Sequence, residues 1–119
     1  MLERAHDARL IYLLDDDDVQ RRLVSEYLES LQYPVHTFSS GTEVVSAVRA
    51  RAPDILLTDY MMPEGISGEQ CAQMVRLLAP AVHIIVLSGS PRPADTIADH
   101  WIQKGSSALS ELRHLLASL

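Results

Sequence analysis

At 119 residues with 47% hydrophobic side chains, the chain has the length and apolar content of one compact domain over 1–119, with no room for a second. A formal net charge of -6 and the lack of any Lys/Arg-rich run exclude a nucleic-acid surface as its main business. No apolar stretch approaches the ~20 residues of a membrane span, and the N-terminus, MLERAHDAR, lacks the apolar core of a signal peptide; the expected location is the cytoplasm.

In chain order, Leu10 to Leu14 is a nearly continuous apolar run, the pattern of a parallel strand buried on both faces. LLDDDDVQ then sets four aspartates in a row at the point where a helix begins. Val19, Leu23, Tyr27, Leu28 and Leu31 fall on one helical stripe. Val35 to Phe38 is a short run carrying His36 and Thr37, which suits a position nearer a sheet edge. Val44, Val45 and Val48 begin a second helix, and Ile55 to Thr58 reads as a buried third strand. Met74, Leu77 and Leu78 supply the stripe of a third helix. Within it Cys71, the lone cysteine, can form no internal disulfide and reads as a small core residue. Ile84 to Leu87 is the fourth strand. Between Ser90 and His100, Pro91 and Pro93 forbid a regular helix start and leave room for a turn or two after Ala94. Trp101 to Gln103 is a short strand nearer the other edge, and Leu109, Leu112, Leu115 and Leu116 mark the last helix. Five β-α units with a weak fourth helix predict an open, doubly wound α/β fold with a parallel sheet.

In such sheets ligands bind beyond the carboxyl ends of the strands, where the strand order reverses. Asp15 and Asp16 follow the first strand, Asp59 the third, Ser88 and Gly89 the fourth, and Lys104 the fifth. Carboxylates gathered in a partly dry cleft repel one another, and a hard divalent cation bound through oxygen relieves this. Mg²⁺ fits, because it accepts a few protein oxygens and keeps positions for water and phosphate. A carboxylate is also a nucleophile toward phosphorus, and phosphoryl transfer needs little beyond positioning and charge neutralisation.

LLDDDD, PDILLTDYMMP, VLSGS and IQKG, in this order and at these strand ends, resemble the receiver domain of bacterial two-component response regulators, such as the single-domain chemotaxis regulator. The resemblance implies a flavodoxin-like, five-stranded parallel sheet of order 2-1-3-4-5 with helices on both faces, the fourth helix short or irregular. It implies that Asp59 accepts a phosphoryl group and that Asp15, Asp16 and Asp59 hold Mg²⁺, with Asp16 as direct ligand and Asp15 acting mainly through water. The backbone carbonyl of Met61 would complete the protein ligands. Ser88 and Lys104 would bind phosphoryl oxygens, Gly89 would leave space for the group, and Ser88 and Trp101 would act as switch residues. The implied donor is a phosphohistidine on a sensor histidine kinase or a histidine phosphotransfer protein. The domain would catalyse its own phosphorylation and dephosphorylation, then present a changed surface to a downstream effector.

Other residues have plainer readings. Asp17 and Asp18 sit where a carboxylate caps the first helix, and Asp54 lies at the far end of the sheet as a turn residue. The five histidines have no metal spacing and read as surface or packing residues, while Met61 and Met62 pack against or shield the site. Lys104 is the chain's only lysine among ten basic residues. Gly105 stands where the family usually has proline, the stretch from Ser88 to Lys104 is short of the family pattern, and one extra residue lies between Pro63 and Gly68. These departures keep open a pseudo-receiver that binds partners without phosphorylation. A haloacid dehalogenase-type phosphatase is the other alternative, with Asp15, Asp17 and Val19 as its D-x-D-x-V motif and Asp95 and Asp99 as a D-x-x-x-D pair.

Overall fold

The computed structural model describes residues 9–119. His6 and the N-terminal segment read against a signal peptide lie, for residues 1–8, outside the described residues. The elements are β1 Ile11–Leu14, α1 Asp18–Ser30, β2 Val35–Phe38, α2 Gly41–Ala50, β3 Ile55–Asp59, α3 Gly68–Leu78, β4 His83–Ser88, β5 His100–Gln103 and α4 Ala108–Ser118. The five strands are parallel in the order β2-β1-β3-β4-β5, as the resemblance implies.

Alternation along each strand feeds two cores. Ile11 and Leu13 of β1 face Val24 and Leu28 of α1 and Leu112 and Leu116 of α4. Tyr12 and Leu14 face Val44, Val45 and Val48 of α2 and Cys71, Ala72 and Val75 of α3. Both faces of the central strands are thereby buried, which is why β1 and β3 read as unbroken apolar runs. β2 and β5 lie at the edges and keep polar residues exposed.

The helix starts follow from capping. Asp17 accepts from the Gln20 N–H, Ser40 from the Glu43 N–H, and Ser67 and Gln70 form a reciprocal capping box. Asp18 caps no N–H; it lies in the first turn of α1, where its charge favours the helix dipole, and it pairs with Arg21. Two apolar stripes are displaced from the expected faces. On α1 the buried residues are Val24 and Leu28, while Val19 and Leu23 are 80% and 53% exposed. On α3 the buried residues are Gly68, Cys71, Ala72 and Val75, while Met74, Leu77 and Leu78 point outward. Small residues let α3 approach the sheet closely, so the largest apolar side chains do not mark its inner face.

Between β4 and β5 the chain forms no helix; a single turn at Ala94–Asp95 lies within an irregular strap. Prolines at 91 and 93 account for this, as expected, and the turn or two of helix expected after Ala94 does not form. The strap is held by side chains: Glu69 accepts from Thr96 Oγ1 at 2.6 Å and the Ile97 N–H at 2.9 Å. Arg76 donates to Asp99 at 2.7 Å, and Arg92 to the Ala98 carbonyl at 2.7 Å.

Candidate functional site

The strand order reverses between β1 and β3, and the acidic residues meet there. Asp15 follows β1 and Asp59 ends β3, and one carboxylate oxygen from each of Asp15, Asp16 and Asp59 lies within 4.8 Å of the others. Asp15 is 3% exposed, whereas Asp16 faces solvent and Asp59 is half-buried. The Asp15 N–H donates to the Phe38 carbonyl at 3.1 Å, and its Oδ1 accepts from the Asp17 N–H at 2.9 Å. Burial lifts the Asp15 carboxyl above the usual carboxylate range. The Asp17 N–H opposes this, the Asp59 charge adds to it, Lys104 opposes it and Asp16 adds to it.

Asp59 is fixed by its own loop. Its Oδ1 accepts from the Tyr60 N–H at 2.8 Å, which leaves Oδ2 on the side of Lys104, whose Nζ lies 3.5 Å away. Lys104 is aimed from its main chain: its N–H donates to the Ser88 carbonyl at 2.7 Å, one residue beyond β5. Ser88 ends β4, is 1% exposed, and its Oγ accepts from the Ser90 N–H at 3.1 Å. A Cβ at Gly89 would meet nothing within 4 Å among the described residues.

Trp101 is half-buried in β5. Its indole N–H donates to the Ser90 carbonyl at 2.9 Å, and its ring meets the edge of Tyr60 with centroids 5.0 Å apart. It therefore joins the loop after β4 to the residue after Asp59. Met61 is the second residue past β3 and is 67% exposed, so its side chain does not pack over the site as expected; Met62 is the buried one.

Two contributors escaped the sequence reading. Gly68 opens α3 against the carbonyl of Asp59, where an added Cβ would overlap that oxygen, and its N–H donates to the Tyr60 carbonyl at 3.2 Å. The available signal was a glycine directly after the Ser67 cap. Arg21 is the other, donating to the Asp15 carbonyl at 2.8 Å; one arginine of an adjacent pair on a helix carries no comparable signal.

The plainer readings also have places. Asp54 sits at the opposite sheet end and accepts from the Leu10 N–H at 2.7 Å. Asp99 lies at that end too, occupied by Arg76 and by the Ile84 N–H at 2.8 Å, so the D-x-x-x-D pair is not brought to Asp15. His36 stacks on Tyr12 at the surface, and Cys71 is fully buried. A cavity of 330 Å³ between Arg9, Tyr33 and Leu116 is likewise remote from the carboxylates. Among the described residues no helix is long and apolar enough to cross a membrane.

Three hard oxygen donors, two from the loop after β1 and one from the end of β3, with open solvent on the Asp16 side, suit a cation that keeps part of its water. The donor set fits Mg²⁺ and offers no thiol or imidazole for a softer metal.

Comparison with known proteins agrees with this fold. Residues 11–109 match the family model described as response regulator receiver domain. The chain is 32% identical over 113 residues to the autoinducer 1 sensor kinase/phosphatase LuxN of Vibrio campbellii, covering 91% of this chain and 13% of that protein. It is 28% identical over 79 residues to the DNA-binding transcriptional regulator NtrC of Escherichia coli, covering 66% of this chain and 17% of that protein. Among solved structures, the response regulator TrrA of Thermotoga maritima, in complex with Mg²⁺-BeF, superposes with a TM-score of 0.83 at 25% identity, covering 92% of this chain and 97% of that one. The receiver domain of a Pseudomonas aeruginosa sensor histidine kinase superposes with a TM-score of 0.82 at 22% identity, over 93% and 96% of the two chains.

Proposed function

The chain belongs to the response regulator receiver domain family of two-component signalling, and we propose that Asp59 is its phosphoacceptor, with Mg²⁺ held by Asp15, Asp16, Asp59 and the backbone carbonyl of Met61. The observation that carries this reading is the gathering of three carboxylates within 4.8 Å with the chain's only lysine 3.5 Å from Asp59 Oδ2. The Mg²⁺-BeF complex of TrrA supports the same choice of cation.

The bound cation would offset the charge of the three carboxylates and of the incoming phosphoryl oxygens. The remaining tasks belong to the protein. Tyr60 N–H ties down Oδ1, so Oδ2 is the oxygen presented to phosphorus. As its lone pair forms the new O–P bond, the N–P bond of the donor phosphohistidine breaks and its electron pair returns to the imidazole. Lys104 moves its ammonium from Oδ2 to a phosphoryl oxygen, and the Ser88 hydroxyl turns from Ser90 to donate to another. Breaking the Ser88–Ser90 contact loosens the loop whose Ser90 carbonyl holds the Trp101 indole. That route lets the charge at Asp59 shift the partner-binding surface between two populations. The donor is a sensor histidine kinase or histidine phosphotransfer protein.

Incubation with Mg²⁺ and a small-molecule phosphodonor adds one hydroxylamine-sensitive phosphoryl group by mass spectrometry, and Asp59→Asn abolishes it. A wild type that never gains this mass refutes phosphoacceptance and favours a partner-binding domain without it. Phosphate-ester turnover lost in Asp15→Asn but kept in Asp59→Asn favours the phosphatase.

A further inference from the structure

Only Asp15 and Asp16 of the four consecutive aspartates join the cluster with Asp59. Asp17 has its own task as the cap of α1. Asp18 is left, with its side chain 86% exposed, and an ion pair so placed ordinarily contributes little to stability. Its partner changes that expectation. Arg21 is only 20% exposed, and its guanidinium forks: Nη2 donates to Asp18 Oδ1 at 2.6 Å and Nη1 to the main-chain carbonyl of Asp15 at 2.8 Å.

One planar group therefore spans the acidic run from its first residue to its last. The spacing makes this possible, because Asp18 and Arg21 are three apart on the same helix face. Around Asp15 the N–H is held by Phe38, the carboxylate by the Asp17 N–H and the carbonyl by Arg21. The first two bonds come from backbone partners; the third is the one a side-chain change removes.

We propose that Arg21 is a positioning residue for the cation site, anchored by Asp18, which holds the Asp15–Asp16 turn so that both carboxylates face Asp59. This rests on the reading of Asp15, Asp16 and Asp59 as a Mg²⁺ site. Groups that orient metal ligands from behind cost about 10- to 100-fold in metal affinity when removed. Coulomb's law alone gives the opposite sign, since deleting a positive charge beside the carboxylates should tighten cation binding. Arg22 is exposed on the same turn and serves as the charge control.

Isothermal titration with MgCl₂ at fixed ionic strength, on folded protein well below its melting temperature, separates the two effects. Arg21→Gln weakens Mg²⁺ binding about tenfold or more. Arg21→Lys keeps the charge, loses the fork and does not restore wild-type affinity; Arg22→Gln binds as tightly as wild type or more so. In EDTA, the Asp17 amide exchanges faster with solvent deuterium in Arg21→Gln and is unchanged in Arg22→Gln. Unchanged or tighter Mg²⁺ binding in Arg21→Gln overturns the assignment, as does an Asp17 amide that exchanges as in wild type. A wild type that takes up no Mg²⁺ instead overturns the underlying site reading, and the positioning role with it.

Discussion

At the scale of single residues, the site stores an electrostatic conflict that a bound cation would relieve. Burial is the main reason the Asp15 carboxyl lies above its ordinary range, with Asp59 and Asp16 adding to it against Asp17 N–H and Lys104. Folding thus favours the protonated form. The stability this group contributes is fully present below its unfolded pKa and is lost as pH rises through the folded value. Asp15→Asn keeps an acceptor for the Asp17 N–H and removes the charge. In EDTA near neutral pH this variant melts above the wild type, and the gap closes as pH falls toward the unfolded value of about 3.9. Added Mg²⁺ raises the melting temperature of the wild type and leaves the variant nearly unmoved. A gap independent of pH between those limits would rule out the charge as its cause. Gly68 is the steric counterpart. An alanine Cβ would overlap the Asp59 carbonyl oxygen, so α3 must shift, at a cost of about 1–3 kcal/mol in urea unfolding. Because the shift falls on the backbone of Asp59, Gly68→Ala also slows phosphorylation from the small donor.

At the scale of elements, β4 and β5 are joined by an irregular strap at the place where the resemblance implied a short or irregular fourth helix. A helix satisfies its own backbone, whereas this strap relies on borrowed acceptors. The Glu69 carboxylate takes both Thr96 Oγ1 and the Ile97 N–H, and Arg76 closes the far end through Asp99. Burial pushes the Asp99 carboxyl up, but the Ile84 N–H and the Arg76 guanidinium outweigh it and hold it below its usual range. Glu69 also follows Gly68, so the first turn of α3 touches the Asp59 backbone on one side and the strap on the other. Glu69→Gln loses charge-assisted bonds and sets an amide N–H₂ against one of the two donors, because each carboxylate oxygen takes a different one. It costs about 1–2 kcal/mol. Deuterium exchange speeds up at Ile97 while the Leu28 and Leu112 amides stay protected; equal loss of protection everywhere would show that the strap is no separate unit.

At the scale of the whole molecule, one sheet divides two cores, and each depends on the strands between them for its second wall. Cys71 reports on one of these cores. It is fully buried between α3 and the sheet, and burial pushes its thiol up to about 12, so it has neither access nor thiolate character. Iodoacetamide near pH 8 leaves the native protein unmodified, and in rising urea the thiol becomes reactive together with loss of far-UV circular dichroism. Labelling that precedes that loss would mean α3 opens before the sheet.

The apolar runs at Leu10 to Leu14, Ile55 to Thr58 and Ile84 to Leu87 were enough to place the central strands, because a strand buried on both faces needs no partner to declare its composition. The strand ends then named Asp15, Asp16, Asp59, Ser88 and Lys104, since chain order alone puts these residues at or just past the carboxyl end of their strands. The inner faces of α1 and α3 were legible only at Leu28 and Cys71, because burial depends on the surface a helix meets, and here Val24, Ala72 and Val75 fit where Leu23, Met74 and Leu77 do not. Nor could linear order reveal Gly68 against Asp59, the Glu69 hold on the strap or the Arg21 fork. Each is a through-space contact whose existence depends on how closely a helix approaches a strand end, and only packing of the whole domain decides that distance.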